Sequence, residues 1–414
     1  MITLVNTTFS SLFCQIKTNT MKTNFLCLVL LTVLSFFELK AQNSSVLLSE
    51  STFQSDFNLI FLPITIEGND MYMILDTGAG FSVLDESVAK QLNLLIENER
   101  LMERPGGQVR LGFIKNVSFT LGKHADQMPI VTANLKEGGF NTYIGRSCAG
   151  ILGFDFIQKY AFEIDYSNSK IKLFSPEGFN TKDGTKESLS ILEGMPVIKG
   201  AIKHNEKSIT GNWLIDTGSL MSLGLNENFY KKHLADSISP IKSLAVGFGG
   251  NTPGKMYRLD SFKISDFTFN TIISGHAEDG INDESFDGVI GGELLSRFKV
   301  IINYKNNELR LKPNKNYDKP IRWDLSGMLL VHNEKGVEVL FVYKDSPAFK
   351  KGIKSGDTIN KIDGMNAADI GLPNIWSKFH YNVGEEIVLE IKREGNIINT
   401  SIVLDDYFKN KEMD

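Results

Sequence analysis

The strongest constraint on this chain is that it contains one stretch of sequence twice. Asp76-Thr77-Gly78-Ala79 follows the apolar run Met73-Ile74-Leu75, and Asp216-Thr217-Gly218-Ser219 follows Trp213-Leu214-Ile215. A serine stands six residues after each aspartate, at Ser82 and Ser222. An apolar-apolar-Gly triplet comes next, Ile151-Leu152-Gly153 in the first copy and Val289-Ile290-Gly291 in the second. Its glycine lies 77 residues beyond Asp76 in one and 75 beyond Asp216 in the other. Ile164-Asp165-Tyr166 then matches Ile302-Asn303-Tyr304, with Asp165 and Asn303 each 12 residues past the glycine. Landmarks that repeat in order and spacing are the signature of duplicated structural units. The reading is two similar lobes over roughly 50–178 and 190–313. They fall in segments 42–180 and 181–315, with residues 175–189 as the linker between them.

Each copy is built of short strands. Leu59 to Ile66 and Met71 to Leu75 flank Gly68-Asn69-Asp70, which reads as a hairpin turn. Val117 to Leu121, Ile130 to Ala133 and Ile171 to Phe174 are further strands, and Glu86 to Leu92 and Glu227 to Leu234 are short helices. The expected fold class is mainly β: two pseudo-twofold-related β-barrel lobes and a third unit over 316–414. In that unit, strands Val337 to Val342 and Ile387 to Ile391 bracket the run Ser346-Pro347-Ala348, Gly352-Ile353, Ser355-Gly356-Asp357-Thr358-Ile359 and Ile362-Asp363-Gly364.

Residues 1–41 read as an N-terminal extension and signal peptide. Met21-Lys22 opens a positive region, Phe25 to Phe37 is an apolar run broken only by Thr32 and Ser35, and Ala41 offers a small residue for cleavage. Met21 is an alternative start, and an uncleaved anchor is the alternative to cleavage. The run is short for a membrane span, so no stable span is expected after signal cleavage. The ending Ala41-Gln42 resembles signal peptides of Bacteroidetes-type bacteria. The expected location is exported: periplasmic, cell-surface or secreted. Of three cysteines only Cys148 lies outside the extension, so the mature chain forms no internal disulfide.

A net charge of −5 without a basic run argues against a nucleic-acid partner. The six histidines form no zinc-peptidase pair, no phosphate loop follows a strand, and no Gly-x-Ser-x-Gly elbow is present. Neither a metal nor a cofactor is expected.

A single Asp-Thr-Gly is an ordinary turn. Two copies in duplicated lobes related by a pseudo-twofold bring equivalent loops face to face. Two carboxylates at one spot cannot both ionise cheaply, so they share a proton and titrate as a pair. The ionised member can take a proton from a water between them while the acid donates to a carbonyl oxygen. Together these steps are general acid–base hydrolysis of an amide. Ser82 and Ser222 read as local loop hydrogen bonders.

These residues resemble the retropepsin/pepsin group of aspartic peptidases, with both lobes in one chain, over about residues 50–313. The resemblance implies Asp76 and Asp216 as the catalytic pair and Thr77, Gly78, Thr217 and Gly218 as supporting loop residues. It also implies hairpin flaps over a peptide or protein substrate, with Gly106, Gly107, Gly249 and Gly250 as candidates; an ordinary hairpin turn is the alternative. Phe154-Asp155 and Gly292-Glu293 depart from the group's pattern after the triplets. Residues of about 322–405 resemble a PDZ domain, which implies that Gly327, Met328 and Leu329 receive a peptide C-terminus. The alternative is a PDZ fold used only for packing. Two other readings stay open: a non-catalytic peptide-binding clamp used in quality control, and an enzyme whose cleft the third domain gates.

Overall fold

The computed structural model describes residues 45–104, 107–135, 140–247, 250–278 and 285–408. The segment read as a signal peptide lies outside them, as do Gly106 and Gly249. Contacts separate residues 1–46 with 177–180 from the rest of the chain. Within that small unit Asn180 N–H donates to Ser45 Oγ at 3.1 Å. All that follows concerns residues 47–176 and 181–414.

The chain is mainly β, as expected. Leu59–Ile66 is buried along nearly its whole length and returns through Glu67-Gly68 into Asn69–Leu75. Both turn residues have positive φ, the geometry a two-residue hairpin requires. The turn is therefore Glu67-Gly68, and Asn69 and Asp70 already belong to the second strand. The strand closing the active end of the lobe, Gly150–Leu152, pairs in parallel with Met73–Leu75, which places Leu152 beside Leu75. In the second copy Gly288–Ile290 pairs in parallel with Trp213–Ile215, which places Ile290 beside Ile215.

Each lobe is an eight-stranded sheet, and the two strand orders match element for element. Both sheets curl until Leu59–Ile66 meets Gly107–Leu121 in the first lobe and Met195–His204 meets Gly250–Ile264 in the second. Asp85 caps the helix Glu86–Gln91, and Asn226 caps Glu227–His233. Each side chain accepts the backbone N–H two residues on, a local satisfaction of orphan helix donors. The duplication read from the sequence is thus a duplication of topology.

A six-stranded antiparallel sheet joins the lobes. At its centre Ala161–Asp165 of the first copy pairs with Phe298–Asn303 of the second. The landmark offset here is 138 residues, Ile164 to Ile302, and Glu163 faces Ile301, its own counterpart. The pseudo-twofold axis therefore passes through that pair. The outer strand Thr185–Ser188 comes from the segment assigned to the linker, and it pairs with Glu308–Pro313. Alternation of exposed and half-buried side chains marks it as an edge strand rather than a connection.

The third unit has the sheet order Met328–Asn333, Gly336–Val342, Thr358–Ile362, Glu386–Arg393, Asn396–Val403, with helix Leu372–Tyr381. It shares a core cluster with the second lobe: Ile241, Met256 and Ile273 pack with Tyr343, Tyr407 and Phe408. Arg258 pairs with buried Asp406 at 2.8 Å. A polar junction lies alongside. Arg297 donates to the carbonyls of Asn316, Tyr317, Lys319 and Pro320, which ties the connecting segment to the lobe. Its Nη2 also meets Glu293 at 2.7 Å, and Glu293 accepts from Asn58 of the first lobe at 2.8 Å.

His380 projects from the third unit into this junction and is 3% exposed. Burial first, then Arg297 and Arg322, pulls its imidazole down to about 4. The Glu293 carboxylate lies 3.9 Å away and is already engaged by Arg297 and Asn58, so it does not reverse the shift. A lowered histidine withholds stability as pH falls from its unfolded value toward its folded one. Acidification from pH 6.5 to 4 should therefore remove about 3 kcal/mol of stability through this group. Denaturant unfolding across that range should show the slope in wild type and a flatter one in His380→Leu.

Candidate active site

The two Asp-Thr-Gly loops meet at the pseudo-twofold axis. Asp76 N–H donates to Leu152 O and Asp216 N–H to Ile290 O, each at 3.0 Å, so the apolar-apolar-Gly triplets back the loops. Thr77 Oγ1 accepts from Thr217 N–H at 3.0 Å, and Thr217 Oγ1 accepts from Thr77 N–H at 3.1 Å. Each hydroxyl then donates across to the other lobe: Thr77 to Ile215 O at 2.5 Å and Thr217 to Leu75 O at 2.7 Å. Both threonines are essentially fully buried. The four bonds fix the loops against one another through groups that water cannot reach.

Within each loop the glycine N–H donates to its own aspartate, Gly78 to Asp76 and Gly218 to Asp216, both at 2.8 Å. A Cβ at Gly78 would lie 2.6 Å from Asp216 Cγ, and one at Gly218 would lie 2.3 Å from Asp76 Cγ. Only glycine leaves room for the partner carboxyl. The two carboxyl groups hydrogen-bond directly to one another. They are half-buried, with an outer edge open to solvent. Burial pushes both above the ordinary carboxylate range. Asp216 is pushed well above it, with the charge of Asp76 as the second cause. The result is one shared proton between two carboxyls.

Ser82 and Ser222 were expected to bond locally within their loops; instead each bonds to a segment distant in sequence, because the folded sheet brings those segments beside the loops. Ser82 Oγ donates to Asp155 and accepts from Gly153 N–H at 2.9 Å, while Ser222 Oγ donates to Ile273 O. Asp155, one of the departures noted after the triplets, is thus a loop support in the first lobe. Its counterpart Glu293 instead carries the junction to the third unit. Cys148 is a buried free thiol, pushed up to about 12 by burial.

Of the flap candidates, Gly107 and Gly250 sit at the ends of two equivalent hairpins. Arg104 pairs with Gly107 between Glu97–Arg104 and Gly107–Leu121. Gly247 pairs with Gly250 between Ile241–Gly247 and Gly250–Ile264. Gly106 and Gly249 themselves lie outside the described residues.

At the third unit, Gly327 ends the expected loop and Met328 opens the strand after it, but their N–H groups are occupied. Asp324 Oδ1 accepts from Ser326 N–H at 2.9 Å, Gly327 N–H at 2.7 Å and Met328 N–H at 3.3 Å. Leu329 packs toward the second-lobe cluster. Asp324 was not singled out from the sequence. Its position two residues before Ser326-Gly327 is the signal that could have found it.

The family model described as aspartyl protease matches residues 62–156, and that described as PDZ domain matches residues 325–404. No curated protein matches the chain. The chain thus contains an aspartyl protease domain and a C-terminal PDZ domain. Among the described residues no helix is long and apolar enough to cross a membrane.

Thr77→Val should separate the loops' geometry from their chemistry. It leaves Thr217 N–H and Ile215 O buried without partners, a loss of about 2–5 kcal/mol. Thr77→Ser should retain most of that stability. Chemical denaturation of the two variants beside wild type measures the difference.

Proposed function

We propose that the chain is an exported aspartic-type endopeptidase of the two-lobed retropepsin/pepsin kind, hydrolysing peptide bonds between Asp76 and Asp216. The observation that carries the reading is the hydrogen-bonded carboxyl pair from equivalent loops of two topologically identical lobes. In this reading the lobes occupy 42–180 and 181–315 and the PDZ domain 316–414. Export rests on the apolar run Phe25 to Phe37 behind Met21-Lys22.

The chemistry follows from the shared proton. A water held by both carboxyls loses a proton to the ionised member as its oxygen attacks the peptide carbonyl carbon. The protonated member donates to the carbonyl oxygen, giving a tetrahedral diol. Return of a proton to the amide nitrogen and breaking of the C–N bond release the two peptides. The glycine N–H bonds hold each carboxyl in line, and the threonine pairs hold the two loops in one plane. The hairpins ending near Gly107 and Gly250 would cover an extended substrate, which the cleft would engage by strand pairing.

A silent peptide clamp gains nothing from this pair, because two half-buried carboxyls pressed together destabilise the fold. The same fact gives the test. A carboxyl whose folded pKa is raised contributes less stability as pH rises above its unfolded value. Asp76→Asn and Asp216→Asn should each abolish hydrolysis of a peptide library by purified 42–414. Each should also unfold at higher temperature than wild type at pH 7, with the gain shrinking toward pH 4. Wild-type hydrolysis should decline as pH rises through the raised range and the shared proton is lost. Full activity in either variant rejects a common site.

A further inference from the structure

Between the first lobe's strands His124–Ala133 and Gly150–Leu152 lies a one-turn helix, Phe140–Ile144, that has no part in the catalytic loops. It packs against Met328–Asn333 of the PDZ domain. That strand is the edge of its sheet, so among the described residues one side of its backbone pairs with no other strand. The opposite wall is the helix Leu372–Tyr381, which approaches the same strand. Gly145 rests on its first residue: a Cβ at Gly145 would lie 2.7 Å from Leu372 Cβ. The first lobe therefore covers the end of the groove where an extended peptide would add as a strand.

The same helix also reaches the cleft. Tyr143 hydroxyl donates to Asn251 Oδ1, and Asn251 pairs with Val246 one step from the end of the second-lobe hairpin. The PDZ domain grips the base of that hairpin: Tyr343 and Ser243 hydroxyls lie 3.3 Å apart, and Arg258 pairs with Asp406. One helix thus touches the first lobe, the free edge of the PDZ sheet and the hairpin that flanks the site.

We propose that helix Phe140–Ile144 is a built-in brake: it covers the PDZ edge strand and pins the second-lobe hairpin, and an extended peptide adding to Met328–Asn333 displaces it and frees the hairpin. The effector is a peptide strand read through its backbone. It needs no free C-terminus, because Asp324 already fills the N–H groups of Ser326, Gly327 and Met328. The brake rests on the peptidase reading for its effect on turnover, whereas its mechanics can be read without turnover.

The experiment pairs hydrogen–deuterium exchange with peptide hydrolysis on the full chain. Tyr143→Phe removes only the hydroxyl. It should raise kcat/KM by about threefold or more and quicken exchange along Gly250–Ile264; unchanged exchange there overturns the proposal. Asn251→Ala removes the other partner of that bond and should give the same quickening and the same gain. An effect from one variant and not from the other overturns the proposal. Mixtures of short random peptides, with free or amidated C-termini, are then added with a statine-type inhibitor in the cleft. Both should protect Met328–Asn333 and expose Phe140–Ile144. Binding that leaves both segments unmoved, or protection by the free acids alone, overturns it. If wild type hydrolyses nothing, the peptidase reading fails, while the exchange arms still decide the brake.

Discussion

Two carboxyl groups that repel when ionised are held in contact at the centre of this molecule, and most of the architecture exists to keep them there. The sheets, the parallel strands behind the loops and the central six-stranded sheet all converge on two loops of four residues. What binds those loops is a reciprocal set of hydrogen bonds by Thr77 and Thr217, each hydroxyl both accepting from and donating to the backbone of the opposite lobe. Buried bonds of this kind matter less for their net strength than for the penalty of breaking one, since every orphaned group stays buried. The lobes cannot drift apart by degrees.

That arrangement explains why the pair titrates as it does. Burial raises both carboxyls, and the proximity of Asp76 raises Asp216 further. Glycine on either side is what permits the approach, because any side chain at Gly78 or Gly218 would fall on the opposite carboxyl. The energetic strain of the pair and its capacity for acid–base work are one property seen from two sides.

Much of this was legible in the sequence because duplication turns a weak motif into a geometric one. Asp-Thr-Gly alone marks a turn; two copies with nearly equal spacing to a second landmark point to a twofold relation, and Glu163 facing Ile301 bears that out in the register. Strands such as Leu59–Ile66 and helices such as Glu86–Gln91 were visible from local pattern. What stayed hidden lies where the symmetry breaks. The edge strand Thr185–Ser188 was read as linker, because four half-exposed residues carry no apolar alternation strong enough to announce a strand. Helix Phe140–Ile144, a single turn, falls below the length at which periodicity speaks. Asp324 looked like one acidic residue among many until its three N–H partners were seen.

The broken symmetry is concentrated on one side. After the first triplet, Asp155 turns inward and supports its own lobe through Ser82. At the equivalent place Glu293 turns to Arg297 and Asn58, and through Arg297 to the segment leading into the PDZ domain. The hairpin cores diverge in the same sense: Leu111 of the first lobe packs within its own lobe, whereas Ile241 and Met256 of the second pack under Tyr343, Tyr407 and Phe408. The PDZ domain thus engages the two lobes unequally: it packs beneath the second lobe's hairpin, while the first lobe meets it through Phe57 and helix Phe140–Ile144. In a site assembled from two symmetric halves, any force applied to one half alone changes the distance between them. A domain that bears unequally on the two lobes is therefore placed where small displacements act most directly on the carboxyl pair.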